Sequence, residues 1–297
     1  MKLPVWICLF VFSIILPLSA KMVSTQKDGA LYIKSTTVAE LDSLYNQQEF
    51  FEFSKPRGVY PRIYLEHLPD DWKDVPENQA KQRTFIKILL PLVLKINAEI
   101  SAERAEIENI NKKFASGAKL TENELKLLEE KAEKYDIFTR MKGDERTQIL
   151  LRRLLINVDT VPPSIMISTA AIYTNWGMSR LALQYNALYR DEIWYQKNQG
   201  VKPVDDPEAE YTYQTFSSLE DCIRHRAVKL NSHINYDYLR ESRRIARTMG
   251  RPPYGPQLAA QMIDDSNLKN IAGLIDYTFT FFQLSNADFY PELRDVK

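Results

Sequence analysis

The chain has 297 residues, of which 44% are hydrophobic and 26% charged, a composition that is ordinary for a globular protein and excludes a disordered chain. Its 39 basic residues balance its 39 acidic ones, so charge gives no basis for a nucleic-acid partner or for attraction to an anionic membrane. At this length the chain can bury one sizeable core with additions, or two small ones.

The first twenty residues differ from the rest of the chain. Lys2 precedes an apolar run from Leu3 to Leu18, and Ala20 ends a small-residue cleavage site. The run is shorter than the roughly 20 residues of a spanning helix, so we expect a cleaved secretory signal in residues 1–20. The alternative is an uncleaved anchor, and membrane contact is expected only in that case. Cleavage removes Lys2 and leaves 38 basic against 39 acidic residues.

The segment that follows combines a β-prone start with a helical hairpin. Residues 30–33 favour an early strand, whereas Pro61 argues against a central strand at its position. Thr121 and Glu124 form a capping box that starts the second helix of the hairpin. The first helix is expected to kink at Pro91. It is predicted from apolar side chains at helical spacing: Phe85, Leu89, Val93, Ile96 and Ile100.

A small-residue helix near the middle of the chain is the most informative segment. Asp159 and Thr160 are expected to cap its N-terminus, residues 162–163 are prolines that suit a first helical turn, and Gly177 suits its end. Small side chains along it allow close packing against other helices. The pattern indicates a buried helix whose last turn, residues 172–174, reaches a cleft.

The C-terminal third begins with a predicted strand over residues 211–216, where hydrophobic and polar residues alternate. Ser217 and Glu220 then predict the start of one long helix. The inner face of this helix is expected to carry five residues: Ile223, Ala227, Leu230, Ile234 and Tyr238.

Trp176, Gly177 and Ser179 carry a resemblance to a known family. In the bacterial glucosaminidases of glycoside hydrolase family 73, which are lysozyme-like enzymes that cut the glycan strands of peptidoglycan, a small-residue helix ends in Glu-Ser-x-Trp-Gly-x-Ser. The segment from Ser164 to Arg180 resembles this signature. The family's general-acid glutamate falls on Tyr173, which is the main departure from the pattern.

Two further segments bear on this resemblance. The motif Leu230-Asn-x-His-x-x-Tyr-x-x-Leu-Arg240 is similar to a helix of the same family. The family's Gly-Asn-Asn-Leu-Phe-Gly turn falls on residues 185–190, which keep Asn186 and Leu188 but lose both glycines. Glycine lets a backbone turn sharply against a ligand, so this loss is a second sign of degeneracy.

The resemblance implies a fold class and a domain organisation. We expect a mainly α, lysozyme-like α+β fold with a helical core, a small β-containing lobe and an N-terminal helical extension. The predicted division is a signal peptide in residues 1–20, a tail and helical-hairpin extension in 21–140, and a glucosaminidase-like domain in 141–297. For the mature protein the resemblance implies the periplasm or cell envelope.

Tyr173 at the acid position decides the functional interpretation. A glycosidase needs a carboxylic acid that protonates the departing oxygen, and a phenol with a pKa of about 10 is a far weaker donor than a glutamic acid. We therefore expect a catalytically disabled protein that binds peptidoglycan glycan strands, with a cell-wall protein as a further candidate partner. The expected binding residues are Tyr173, Trp176, Asn186, Tyr189, Trp194 and Tyr195. No cofactor and no metal are expected.

The alternative function is an active peptidoglycan hydrolase, an endo-β-N-acetylglucosaminidase that uses a displaced carboxylate. Glu192 is the candidate acid, since Asp191 and Glu192 follow the former glycine turn. Such an acid would need burial that raises its pKa. A Cys222 nucleophile with His225 one helical turn away is disfavoured, because no third orienting group is visible in the sequence.

Overall fold

The structure is a computed structural model that describes residues 22–194, 199–265 and 271–297. The predicted signal segment and Tyr195 lie outside these residues. Within the described ranges, no helix is both long and apolar enough to span a bilayer. The fold is mainly α with small β-sheets, so the predicted α-rich class with a small β lobe is confirmed.

The described residues form ten α-helices connected by short loops and 3₁₀ turns. The helices are α1 (Val38–Gln47), α2 (Gln79–Ala115), α3 (Glu122–Lys134), α4 (Gly143–Asn157), α5 (Pro163–Thr174), α6 (Arg180–Tyr185), α7 (Leu219–Ser232), α8 (Asp237–Thr248), α9 (Gly255–Leu258) and α10 (Ile271–Phe282). Turns of 3₁₀ helix lie at Ile234–Tyr236, Ala259–Asp265 and Leu284–Asp288.

Seven short strands form three small sheets. The strands are β1 (Val23–Lys27), β2 (Ala30–Ser35), β3 (Val59–Pro61), β4 (Ile63–Leu65), β5 (Glu192–Trp194), β6 (Tyr211–Tyr213) and β7 (Glu292–Arg294). β2 pairs antiparallel with β1 and parallel with β4, β3 pairs parallel with β7, and β5 pairs antiparallel with β6. The predicted strands at residues 30–33 and 211–216 are therefore present, the second only over its first half.

Helix α2 is the longest element and carries the predicted apolar stripe into the core. All five predicted residues of the stripe are buried. The helix continues through Pro91, which is itself buried. Thr121 caps α3 through a capping box with Glu124, as predicted. The largest hydrophobic cluster draws residues from both sides of residue 140, so the predicted extension and the predicted domain share one core.

Helix α5 lies inside this core and is closed at its start by a distant carboxylate. Asp288 accepts hydrogen bonds from the Ser164 backbone N–H at 3.0 Å and from the Ser164 hydroxyl at 2.7 Å. The prediction that Asp159 and Thr160 cap this helix is therefore wrong. Asp159 instead accepts a hydrogen bond from the Thr160 backbone N–H and pairs with Arg247. A carboxylate 124 residues along the chain satisfies the helix end, and local sequence gives no signal for that contact.

The predicted long helix after residue 217 is also wrong in its second half. Ser218 caps α7, which ends at Ser232, and His233 has an extended backbone before the next turn. Because the helix breaks here, Ile234 and Tyr238 leave the inner face and are 71% and 74% exposed.

Candidate functional site

A groove of about 950 Å³ lies between the helical core and the β5–β6 hairpin. Its size falls in the range of small-molecule and cofactor sites in proteins. The groove is lined by the end of α5, the hairpin, the second half of α7 and the end of α3. The lining residues used below are Tyr173, Tyr189, Arg190, Asp191, Glu192, Trp194, Asp205, Tyr211, Tyr213, His225 and Lys229.

Tyr173 reaches the groove from the last turn of α5. It is largely buried, with 9% of its surface exposed, yet it lines the groove wall. The helix stops directly after it because Asn175, Trp176 and Gly177 all adopt left-handed backbone conformations. Thr174 fixes this turn, since its hydroxyl donates to the Ala170 carbonyl and accepts from the Gly177 N–H. These contacts place Tyr173 at the groove.

Trp176, which the sequence predicts to bind ligand, does not line the groove. Its ring packs between Phe85 and Phe282, with centroid distances of 5.9 and 5.1 Å. The Trp72 indole N–H donates to its backbone carbonyl at 3.1 Å. Trp176 therefore turns toward the core and anchors the turn rather than offering a face to a sugar.

Asn186 also lies outside the groove. It is buried and hydrogen-bonded to His67 and to the Phe216 carbonyl. It lines a separate surface pocket that also includes His67 and Phe216. The structure therefore does not bring Asn186 together with the other predicted binding residues at the Tyr173 groove.

Tyr189 and Trp194 are both placed at the groove, in different ways. Tyr189 forms part of the wall but is only 2% exposed, and its hydroxyl donates to the Met166 carbonyl. Trp194 is 48% exposed, and its indole N–H donates to Glu192 at 3.1 Å. Of the predicted binding residues in the described ranges, Trp194 therefore offers the largest accessible aromatic surface at the groove.

The β5–β6 hairpin contributes an aromatic row that sequence analysis missed in part. Trp194 is paired with Tyr211 across the two strands, and their ring centroids are 5.1 Å apart. Tyr213 follows at 5.4 Å from Tyr211, and the Arg190 guanidinium lies 5.4 Å from the Tyr213 ring. Residues two apart on a strand share a face, so the alternation at residues 211 and 213 was the signal that could have identified this row.

Asp191 is the buried carboxylate of the groove and is held in its charged form. Its Oδ1 lies 2.7 Å from Lys229 Nζ and 3.2 Å from the buried Arg226 guanidinium. Burial alone would raise the pKa of Asp191, but Arg226 and Lys229 hold that pKa below its ordinary value. A carboxyl kept ionised in this way is unsuited to donate a proton at neutral pH.

Glu192, the candidate displaced acid, lines the groove from strand β5. Its side chain is exposed, and its carboxylate accepts the Trp194 indole N–H. Asp205 lines the groove from the following loop and is exposed as well. The burial that would favour a protonated acid is therefore absent at both positions.

Cys222 and His225 do not form a nucleophile pair. Cys222 is fully buried, and its sulfur accepts the Leu188 backbone N–H at 3.3 Å. Burial raises the pKa of the Cys222 thiol and lowers the pKa of His225. His225 instead lies 3.9 Å from Asp191 and packs on Phe216. Cys222 is therefore a structural residue, and His225 is part of the groove wall.

The second family-like motif, in residues 230–240, has structural contacts. The Asn231 side chain donates to the Asp159 carbonyl, and Arg240 donates to the carbonyls of Leu230 and His233. Tyr236 is buried in the core. Among the described residues, no group of His, Cys, Asp and Glu side chains is arranged to hold a metal ion.

Comparison with known proteins finds similarity over part of the chain. No protein-family model matches it. Protein bax of Escherichia coli (strain K12) is 28% identical over 176 residues, which are 59% of this chain. The match spans only 60% of the length of that relative. The catalytic domain of the autolysin Auto from Listeria monocytogenes is a structural neighbour at 14% identity and a TM-score of 0.31, covering 61% of this chain and 96% of that domain.

Proposed function

We propose that this protein is a secreted, glucosaminidase-like protein of the cell envelope that binds peptidoglycan glycan strands in the Tyr173 groove without cutting them. The observation that carries the proposal is the groove itself, which passes Tyr173 and is faced by the aromatic row of the β5–β6 hairpin. Sugar rings present flat apolar faces that pack on such side chains.

The carboxylates of the groove support binding rather than hydrolysis. Asp191 is engaged by two cations, and Glu192 is exposed. A general acid of a glycosidase lies in a buried environment without a paired cation, and neither carboxylate lies in such an environment. The alternative function, an active hydrolase that uses Glu192, is therefore the less favoured one.

The similarity to Protein bax and to the autolysin domain is consistent with this proposal. The description as an autolysin belongs to the Listeria protein. The proposal for this chain rests on its segments that resemble the family 73 glucosaminidases. Secretion into the periplasm or envelope is part of the proposal and rests on the apolar segment in residues 1–20.

Co-sedimentation with purified peptidoglycan tests the binding function. The wild-type protein is expected to sediment with sacculi, and Tyr211→Ala should weaken this binding by about tenfold because it removes the middle ring of the row. Tyr238→Ala is a matched control, since Tyr238 is exposed on α8 and is not a groove residue. Wild-type protein that stays in the supernatant would contradict the proposal.

Tyr173→Glu tests the origin of the site. The substitution restores a carboxyl group at the end of α5, in a largely buried position. We expect this variant to release new reducing ends from peptidoglycan while the wild type releases none. Release of reducing ends by the wild type at the rate of the variant would show that Tyr173 does not stand in for a lost acid.

A further inference from the structure

Arg190 combines an unfavourable backbone conformation with an exposed position at the groove. Its φ angle is +52°, in the left-handed region that favours glycine and costs energy for other L residues. The side chain is exposed and lines the groove. The chain therefore presents a large charged side chain to the groove from a position where the backbone favours glycine.

The contacts of Arg190 leave room for a ligand. One guanidinium nitrogen donates to the Tyr213 hydroxyl at 3.0 Å, and the planar group lies over the Tyr213 ring. Arginine has five N–H donors, so this contact orients the group while using only one of them. Among the side chains that the structure describes, Arg190 forms no ion pair within 4.0 Å.

The row that ends at Arg190 suggests what the ligand looks like. Trp194, Tyr211 and Tyr213 provide successive rings, and the guanidinium stands at the end of the row. Glu192 and Asp205 also line the groove, so its overall charge does not attract an anion. Recognition of an acidic group therefore has to be local, through the paired N–H groups of an arginine that match the two oxygens of a carboxylate.

We propose that Arg190 is a specificity-determining residue that binds a carboxylate of the peptides that the glycan carries, so that the groove prefers acidic, peptide-bearing sugar strands to neutral chitin-type strands. The inference rests on the proposed glycan-binding function. In this arrangement the sugar rings pack on the hairpin row while a carboxylate substituent receives two N–H groups of Arg190.

Isothermal titration with two tetrasaccharides of equal length tests the inference. One is a peptidoglycan tetrasaccharide with its peptides, and the other is a chitin tetrasaccharide. We expect the wild type to prefer the acidic ligand, and Arg190→Gly to weaken binding of that ligand by about tenfold or more. Binding of the neutral ligand should change by less than about threefold, because the aromatic row remains.

Two further variants keep the experiment interpretable. Arg190→Lys retains the positive charge but loses the forked geometry, so its affinity for the acidic ligand should lie between those of wild type and Arg190→Gly. Arg57→Gly is the matched control, because Arg57 is also an exposed arginine with a left-handed backbone, at φ +55°, and it does not line the groove. It should bind both ligands as the wild type does.

The outcomes separate the two proposals. If the wild type binds both tetrasaccharides with equal affinity, or if Arg190→Gly loses both equally, the role of Arg190 in specificity is overturned while the binding function stands. If the wild type binds neither ligand, the proposed function fails and this inference fails with it.

Discussion

The two ends of helix α5 are built in different ways. At its N-terminus, buried Asp288 accepts hydrogen bonds from Ser164 and from the Gly255 backbone N–H at 2.9 Å. At its C-terminus, Tyr173 lines an open groove, and the chain turns away through three left-handed residues.

The difference shows that the contacts that hold α5 in the core are separate from the side chain that it presents to the groove. The closure at Asp288 and the packing of Trp176 hold α5 in place without using the groove side of Tyr173. A substitution at Tyr173 is therefore expected to leave the contacts that position the helix intact. Substitutions at the N-terminus should change stability, and substitutions at the groove should change binding.

The largest expected effect is that of Asp288→Ala. The substitution leaves the Ser164 N–H, the Ser164 hydroxyl and the Gly255 N–H without their acceptor in a buried site. We expect the free energy of unfolding to fall by about 3 kcal/mol or more, measured by chemical denaturation. Asp276→Ala, at an exposed aspartate on α10, is the control and should change stability by less than about 0.5 kcal/mol. Similar losses of stability in both variants would show that the buried hydrogen bonds of Asp288 do not stabilise the fold.

The same carboxyl predicts a pH dependence of stability. Burial raises the pKa of Asp288 to about 7, whereas the pKa of an aspartate in an unfolded chain is about 4. Between about pH 4 and about pH 7, Asp288 is therefore protonated in the folded protein and ionised in the unfolded chain. Stability should therefore fall as pH rises from about 4 to about 7 and level off above, by a few kcal/mol at most.

Comparison with Asp288→Asn isolates this contribution. The asparagine cannot titrate, so the stability difference between wild type and variant should change across the pH window and remain constant above it. Denaturation curves at several pH values measure the difference. A wild type that gains stability relative to the variant between pH 5 and pH 7 would contradict the raised pKa.

A smaller loss is expected for Gly255→Ala. A Cβ atom at this position would lie 1.9 Å from the Ser164 hydroxyl oxygen and 3.0 Å from the Asp288 carboxylate. We expect a loss of about 2 kcal/mol from overpacking, read from the denaturation midpoint. Gly250→Ala serves for comparison, since its Cβ would meet open space and only its positive φ would cost energy. We expect Gly255→Ala to lose more stability than Gly250→Ala, and the reverse order would contradict the close packing at Gly255.

The smallest effect on stability is expected at the groove. Trp194 is 48% exposed, so Trp194→Ala should lower the free energy of unfolding by less than about 1 kcal/mol. Its affinity for peptidoglycan should nevertheless fall several-fold, because a ring of the binding row is lost. Binding equal to that of the wild type would remove the hairpin from the proposed site.

The sequence predicted the elements that depend on local pattern. The α2 stripe, the Thr121 capping box and the strand at residues 30–33 follow from spacing and cap chemistry, and all three are present. The Trp-Gly turn after Tyr173 was also identified, because its residue types are specific in combination. These features depend on neighbours within a few residues.

The errors concern contacts between distant segments. Nothing near Ser164 indicates that Asp288 closes its helix, and nothing near Trp176 indicates that Phe85 and Phe282 enclose its ring. The helix break at His233 occurs in a sequence whose apolar period continues through Ile234 and Tyr238. In each case a contact between distant segments or a local change of backbone conformation determines the structure, and neighbouring residues do not indicate it.

The most direct test of the central claim is incubation of the wild-type protein with purified peptidoglycan, with bound protein and new reducing ends measured in the same samples. The account predicts that the protein occupies the glycan strands while the number of reducing ends stays at the level of a protein-free control. Release of glycan fragments at a rate typical of lysozyme-like enzymes would contradict the proposal, because the groove would then be catalytically competent with Tyr173 at the end of α5.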